Sequence, residues 1–135
     1  MKLKNILLVV DYLKKSVAFY EELFGLRVIT DDDGNIIMTE GLCLQDRRIW
    51  ESFIDQSVNY RGHDAELYFV EDDIEGFQKK LEQCSFEIEY VNRLMTHSWG
   101  QRVIRIYDPD HHVIEIGESL EAVQKRNEPD KEEIN

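Results

Sequence analysis

The sequence predicts an α+β fold of two pseudo-symmetric βαβββ modules whose sheets curl round a shared cleft. Three observations carry this. Short apolar runs have the length of strands, the run at residues 5–10 is followed by apolar residues at helical spacing, and the same order of elements then occurs a second time. A shift of 61 residues places Asn5 on Glu66, Leu8 on Phe69, Asp11 on Asp72 and Leu13 on Ile74. Neither copy can bury the second face of its own sheet, so two related halves are expected to share a core and a hollow.

NILLVV, from Asn5 to Val10, is nearly continuous in apolar residues, as expected of a strand buried on both faces. Leu13, Val17, Tyr20 and Phe24 then recur at helical spacing, and Gly25 ends that helix as its C-cap. LRVIT reads as a strand, DDDGN as a turn, and IIMTE and GLCLQD as two further strands. RRIWESFIDQSVNYRG, from Arg47 to Gly62, joins the halves, and Ile49, Trp50, Phe53 and Ile54 mark a short amphipathic helix in it. In the second half AELYFV is a strand, and Ile74, Phe77, Leu81 and Cys84 line a helix capped by Asp72 or Asp73. FEIEYV, QRVIRIYD and HHVIEIGE are three more strands, SLEAVQKRN a terminal helix, and EPDKEEIN a charged tail expected to fray. One domain is expected over 1–120, with module one at about 3–46, a connector at 47–63 and module two at 64–118; the C-terminal helix and tail occupy 119–135.

Charge narrows the partners. Of 135 residues, 28 are acidic and 16 basic, a net −12, which disfavours nucleic acid and anionic membranes because nothing neutralises a row of phosphates. A local basic pocket for an anionic ligand remains compatible with this. Cys43 and Cys84 have no CxxC spacing and no nearby histidine, and read as reduced thiols of a cytosolic protein, with a disulfide or a reactive thiol as the alternatives. The first residues lack signal architecture, since the five-residue apolar run closes at Asp11, and no run approaches membrane length. A soluble, cytoplasmic protein is expected. There is no GxSxG, Walker loop or GxGxxG.

The stretches VVDYLKKSVAFYEELFGLRV, AELYFVEDDIEGFQKKL and DPDHHVIEIGE carry a likeness whose most specific parts are Phe19-Tyr20, Phe24-Gly25 and Asp108-Pro109-Asp110. From Lys4 to about Glu118 the chain resembles the glyoxalase/bleomycin-resistance/dioxygenase superfamily, the vicinal oxygen chelate proteins. The resemblance implies that the cleft between modules takes a small molecule. It also implies a divalent metal held by His and Glu from the first and last strands of each module. The matching positions here are Asn5 and Glu66 on the first strands, Glu115 on the last strand of module two, and Gln45 or a neighbour on that of module one. Glu115 alone keeps the usual residue, and both histidines are missing. Zinc, nickel and iron sites rely on imidazole, whereas an oxygen-only set suits Mg²⁺ or Mn²⁺, and weakly. The expected function is therefore small-molecule binding without the usual His-based metal site. The alternative is a metal-dependent glyoxalase-like lyase or dioxygenase in which Glu115 and Glu66 hold the ion and move the proton. Members often form homodimers, and the connector with Trp50 and Phe53 offers a contact.

Several side chains are candidates for the cleft. Alternation puts Val113 and Glu115 on one face of the last strand. With a four-residue loop from Asp108 to His111, Glu115 would oppose Ile104, with Arg102 diagonal to it on the same face. Such a pair either sits on a wet sheet face or lines the cleft. Glu66 shares a face with Tyr68 and is an edge charge or a second cleft carboxylate. Two carboxylates in one partly dry cleft would supply a general base. His97 and Trp99 lie in a Gly-containing loop and either close over a ligand or plug the end of the core. Tyr107 could wall an aromatic slot with Tyr68 and Trp99, and Trp50 either packs the connecting helix onto a module or walls the cleft. His111 and His112 are adjacent on a strand, point to opposite faces and read as turn residues; the resemblance, which has Gly at the position of His111, implies a left-handed conformation there.

Overall fold

The computed structural model describes residues 1–59 and 63–128, and the connector residues 60–62 and most of the expected tail lie outside them. Module one runs β1 (Ile6–Val10), α1 (Leu13–Phe24), β2 (Val28–Asp31), β3 (Asn35–Met38) and β4 (Leu42–Asp46). After α2 (Arg47–Ile54), module two repeats the order with β5 (Glu66–Val70), α3 (Ile74–Gln83), β6 (Glu89–Thr96), β7 (Arg102–Tyr107) and β8 (Val113–Gly117). A last helix, α4, covers Leu120–Asn127. The sheets have the matching orders β1-β4-β3-β2 and β5-β8-β7-β6. In each, the first and last strands pair in parallel, Ile6 with Leu42 and Glu66 with Val113. The duplication expected from the sequence is the architecture. No described helix is long and apolar enough to cross a membrane.

Local chemistry sets the element ends. Gly25 takes φ 68°, and its N–H and that of Leu26 close onto the carbonyls of Glu21 and Tyr20, which ends α1. The Asp73 carboxylate accepts from the Gly76 N–H and caps α3, while Asp46 caps α2 through the Arg48 and Ile49 N–H groups. The strand expected at FEIEYV starts later and runs longer, as β6. Phe86 and Ile88 pack against the core before the ladder begins, and pairing with β7 then extends the strand to Thr96.

A single core joins the modules. Ile36, Met38, Leu42 and Leu44 of the first sheet and Ile104, Ile106, Ile114 and Ile116 of the second are all buried in it. Phe24 of α1 stacks on Phe69 of β5 at 4.3 Å between centroids, and Phe19 meets Phe86 edge-on at 5.3 Å. Phe19 is buried and the other three rings are partly buried; full burial of such a ring contributes roughly 1.5–3 kcal/mol, so aromatic packing helps to hold the halves together. Alternation leaves the other face of each sheet for different residues: Cys43 and Gln45 on β4, Glu66 and Tyr68 on β5, Val103, Arg105 and Tyr107 on β7, and Val113, Glu115 and Gly117 on β8. Over module one this face is covered by α2, which rests on β1 and β4 with Ile49 packed against Gly34. Trp50 is half-buried on that helix and Phe53 points outward, 69% exposed. Cys43 and Cys84 are free thiols, the first buried.

Candidate functional site

The modules meet where β1 and β5, edge strands of their sheets, run past each other. Two cavities open along this seam. The larger, about 690 Å³, is lined by residues 3–6 and 66–70 with 24–26 and 39–42 behind them. The smaller, about 460 Å³, is lined by residues 6–9 and 63–67, with 58–59 and 111–113. They are counterparts under the duplication: the first sets the whole of β5 against the start of β1, the second β1 against the start of β5.

The larger cavity brings Asn5, Glu66 and Tyr68 together, three of the residues singled out in the sequence. The rest of its wall is formed by Leu3, Ile6, Leu26, Leu42, Leu67, Val70 and the rings of Phe24 and Phe69, with Lys4, Thr39 and Glu40 as its polar members. Glu66 is solvent-exposed, and its carboxylate has no ion-pair or hydrogen-bond partner among the described residues. Tyr68 is held. Its hydroxyl accepts a hydrogen bond from Gln101 Nε2 at 3.0 Å and lies over Gly117, where an added Cβ would stand 2.5 Å from the Tyr68 oxygen. Gly117 is thus required for the ring to lie down on β8.

Glu115 does face away from the core, with its side chain 13% exposed, but its partner differs from the expected one. The β7–β8 loop has five residues between the paired Tyr107 and Val113, because the Asp108 N–H bonds to the His112 carbonyl and His111 adopts φ 66°. That single extra residue shifts the register, so Glu115 opposes Arg105 and Ile104 opposes Ile116. Arg105 Nη2 and the Glu115 carboxylate form an ion pair at 2.5 Å. Arg102 falls on the opposite face. It does not reach Glu115 but binds Glu118, whose side chain is 1% exposed, and Glu75 of α3.

His97 and Trp99 stack face to face, 4.1 Å between ring centroids, and Trp99 is 59% exposed, so it does not plug the core. Its indole N–H donates to Gln101 Oε1 at 3.0 Å, and Gln101 therefore ties Trp99 to Tyr68. Sequence reasoning passed over Gln101; its place between a Gly-turn and a strand was the available signal. Tyr107 lies between His63 and His111, with centroids at 5.6 and 4.8 Å, on the side of the smaller cavity. His111 also pairs with Glu89 and His112 with Asp108, as residues of a turn.

The four positions that the resemblance assigns to a metal were tested by their chemistry. Gln45 is buried and its amide nitrogen donates to the Gly34 carbonyl, and Glu115 is neutralised by Arg105. Among the described residues no three His, Cys, Asp or Glu side chains gather as they would around an ion. This donor set does not fit the group.

A second polar cluster, not foreseen from sequence, binds the modules. Asp108, buried, accepts from the Tyr20 hydroxyl at 2.7 Å, from the N–H groups of Asp110 and His112, and pairs with the His112 ring at 2.7 Å. Asp110 in turn accepts from the Asp11 N–H and the Ser16 hydroxyl. Burial and the adjacent Asp108 charge push the Tyr20 phenol well above its usual range. Burial also pushes the Asp110 carboxyl up.

Comparison with known proteins gives this geometry a context. The model of the glyoxalase-like domain family matches residues 3–121. A protein of unknown function from Agrobacterium tumefaciens is similar over 89% of this chain and 95% of its own, with 29% identity and a TM-score of 0.73. A glyoxalase-related enzyme from Fulvimarina pelagi has 18% identity and a TM-score of 0.70, covering 87% of this chain and 88% of that one. A glyoxalase/bleomycin resistance protein/dioxygenase from Nocardioides has 18% identity and a TM-score of 0.69, covering 90% and 85%. These last two likenesses speak for the fold alone. No curated protein gives a significant match.

Proposed function

The chain belongs to the glyoxalase-like domain family, and from that premise we propose that it binds a small molecule in the 690 Å³ cavity between its modules, without a His-based metal site. The observation that carries the reading is the pairing of Glu66, a carboxylate without a partner among the described residues, with a largely apolar wall inside a cavity of ligand size. Such a wall takes an apolar or aromatic body. A carboxylate with no partner among the described residues takes the donor group of the ligand, so the ligand class is a small aromatic or aliphatic amine. Asn5 and the Tyr68 hydroxyl supply neutral hydrogen bonds at the rim. The net charge of −12 supports a cationic rather than an anionic ligand. Arg102, bound to Glu118 on the other face, does not line this cavity. The reading places the protein in the cytoplasm, which the two free thiols support.

Calorimetric titration with benzylamine and with benzoate tests this. Benzylamine is expected to bind and benzoate not. Glu66→Gln is expected to weaken benzylamine about tenfold, the effect of one exposed charge-assisted hydrogen bond of about 1.4 kcal/mol. Equal binding of both compounds, or benzylamine binding unchanged in Glu66→Gln, contradicts the proposal.

A further inference from the structure

The C-terminal helix lies outside the two modules, yet its contacts run to the cleft. α4 starts where the Ser119 hydroxyl accepts from the Ala122 N–H and where the Ser119 N–H donates to Asp72. Val123, buried on its inner face, lies against Gly100. A Cβ on that glycine would stand 3.3 Å from the valine methyl, and Gly100 has φ 90°, so this position suits glycine on both counts. Arg126 Nη2 donates to the Gly100 carbonyl at 2.7 Å and Nη1 to the buried Glu118 carboxylate at 2.6 Å. Residue 100 belongs to the tight turn closed by the His97 N–H on the Gln101 carbonyl at 2.8 Å and the Gly100 N–H on the His97 carbonyl at 2.9 Å. Gln101 leaves that turn with its amide nitrogen shared between the Glu118 carbonyl at 2.8 Å and the Tyr68 hydroxyl at 3.0 Å.

We propose that α4 sets the position of Tyr68 in the inter-module cleft, with Arg126 and Gln101 as the positioning residues. Arg126 grips the turn and the carboxylate beneath it. The turn fixes Gln101, and Gln101 orients the tyrosine hydroxyl over Gly117. A 47%-exposed tyrosine is otherwise free to swing outward, which gives such a tether something to do. The consequence for the ligand rests on the amine-binding reading, whereas the position of Tyr68 is measured without any ligand.

The test uses the full chain with ¹³C-labelled tyrosine rings. The Tyr68 resonance is assigned by its loss in Tyr68→Phe, and Tyr12, 72% exposed on the far module, is the control. Arg126→Met, which keeps the aliphatic stem, and Gln101→Ala are each expected to move the Tyr68 resonance to a common new position and to leave Tyr12 unmoved. The double variant is expected to add nothing further. Benzylamine binding should weaken about fivefold in each single variant and no more in the double. A Tyr68 resonance that stays put in both folded single variants overturns the proposal. A resonance that moves while benzylamine fails to bind the wild type supports the tether and counts against the amine reading alone. If Arg126→Met does not fold, Gln101→Ala and Val123→Ala decide, and an unmoved Tyr68 in both overturns the tether.

Discussion

Glu115 on β8 stands directly opposite Arg105 on β7 and is neutralised by it. The pair lies on the sheet face turned away from the core, with the side chains 13% and 27% exposed, and it removes from the cleft the one carboxylate that matches the family's usual ligand position. Glu66, one strand over on the same face, is instead a carboxylate without a partner among the described residues.

Arg105→Met strands a largely buried carboxylate and is expected to destabilise the fold by about 1–3 kcal/mol. Replacing both partners, Arg105→Met with Glu115→Leu, should recover most of that loss. Urea denaturation of the two single variants and the double gives the coupling. An additive double, as unstable as the sum of the singles, would show that the pair is not the relevant interaction.

Glu118 governs stability in acid. Burial raises its pKa, but hydrogen bonds from Arg102 and Arg126 outweigh burial and leave it below the usual value. A carboxylate with a depressed folded pKa contributes stability that is present above its unfolded pKa of about 4.3 and lost as pH falls through the folded value. Glu118→Gln is therefore expected to cost about 3 kcal/mol at pH 7 and to flatten the loss of stability below about pH 4.3. Denaturation curves at pH 3, 4 and 7 check both. An unchanged acid slope would mean that other carboxylates dominate.

His112 acts in the opposite sense. Burial lowers its pKa, yet the hydrogen bond to Asp108 and the charges of Asp108 and Asp110 raise it further than burial lowers it, to a net value above the usual one. Its stabilising share is complete below the unfolded pKa of about 6.5 and disappears as pH rises through the higher folded value. Wild-type stability should fall on going from pH 6 upward through that window, and in His112→Gln this fall should be smaller. Equal slopes in the two proteins would remove His112 from the account.

Gly117→Ala tests the seat of Tyr68. The added methyl would stand 2.5 Å from the phenol oxygen, so the ring must leave Gln101. Because the ring is free to move toward solvent, stability is expected to change by less than about 1 kcal/mol, while benzylamine affinity falls. Tyr68→Phe in the Gly117→Ala background should then have no further effect on binding. A remaining effect would mean that the tyrosine stays in place.

Much of the fold is readable because its signals are local. The helical spacing of Leu13, Val17, Tyr20 and Phe24, the stop at Gly25 and the cap before Ile74 act within a few residues, and repetition of the same order fixes the topology. The site is less so, for identifiable reasons. A loop of five residues rather than four moves Glu115 from Ile104 to Arg105, and since side chains alternate, the same step turns Arg102 to the other face. No local pattern reports that step; the φ 66° of His111, expected from the sequence, is its only trace. The Tyr20–Asp108 bond spans 88 residues, and the path from Arg126 through Gln101 to Tyr68 crosses three elements. Glu66 and Tyr68, by contrast, share a face through simple alternation, and both line the larger cavity.

The most direct measurement is an amide chemical-shift titration of the ¹⁵N-labelled protein with benzylamine. Saturable shifts centred on Asn5, Glu66 and Tyr68, on both strands that line the 690 Å³ cavity, are the predicted result. Shifts confined to other faces of the molecule, or none at concentrations in the millimolar range, would contradict the account.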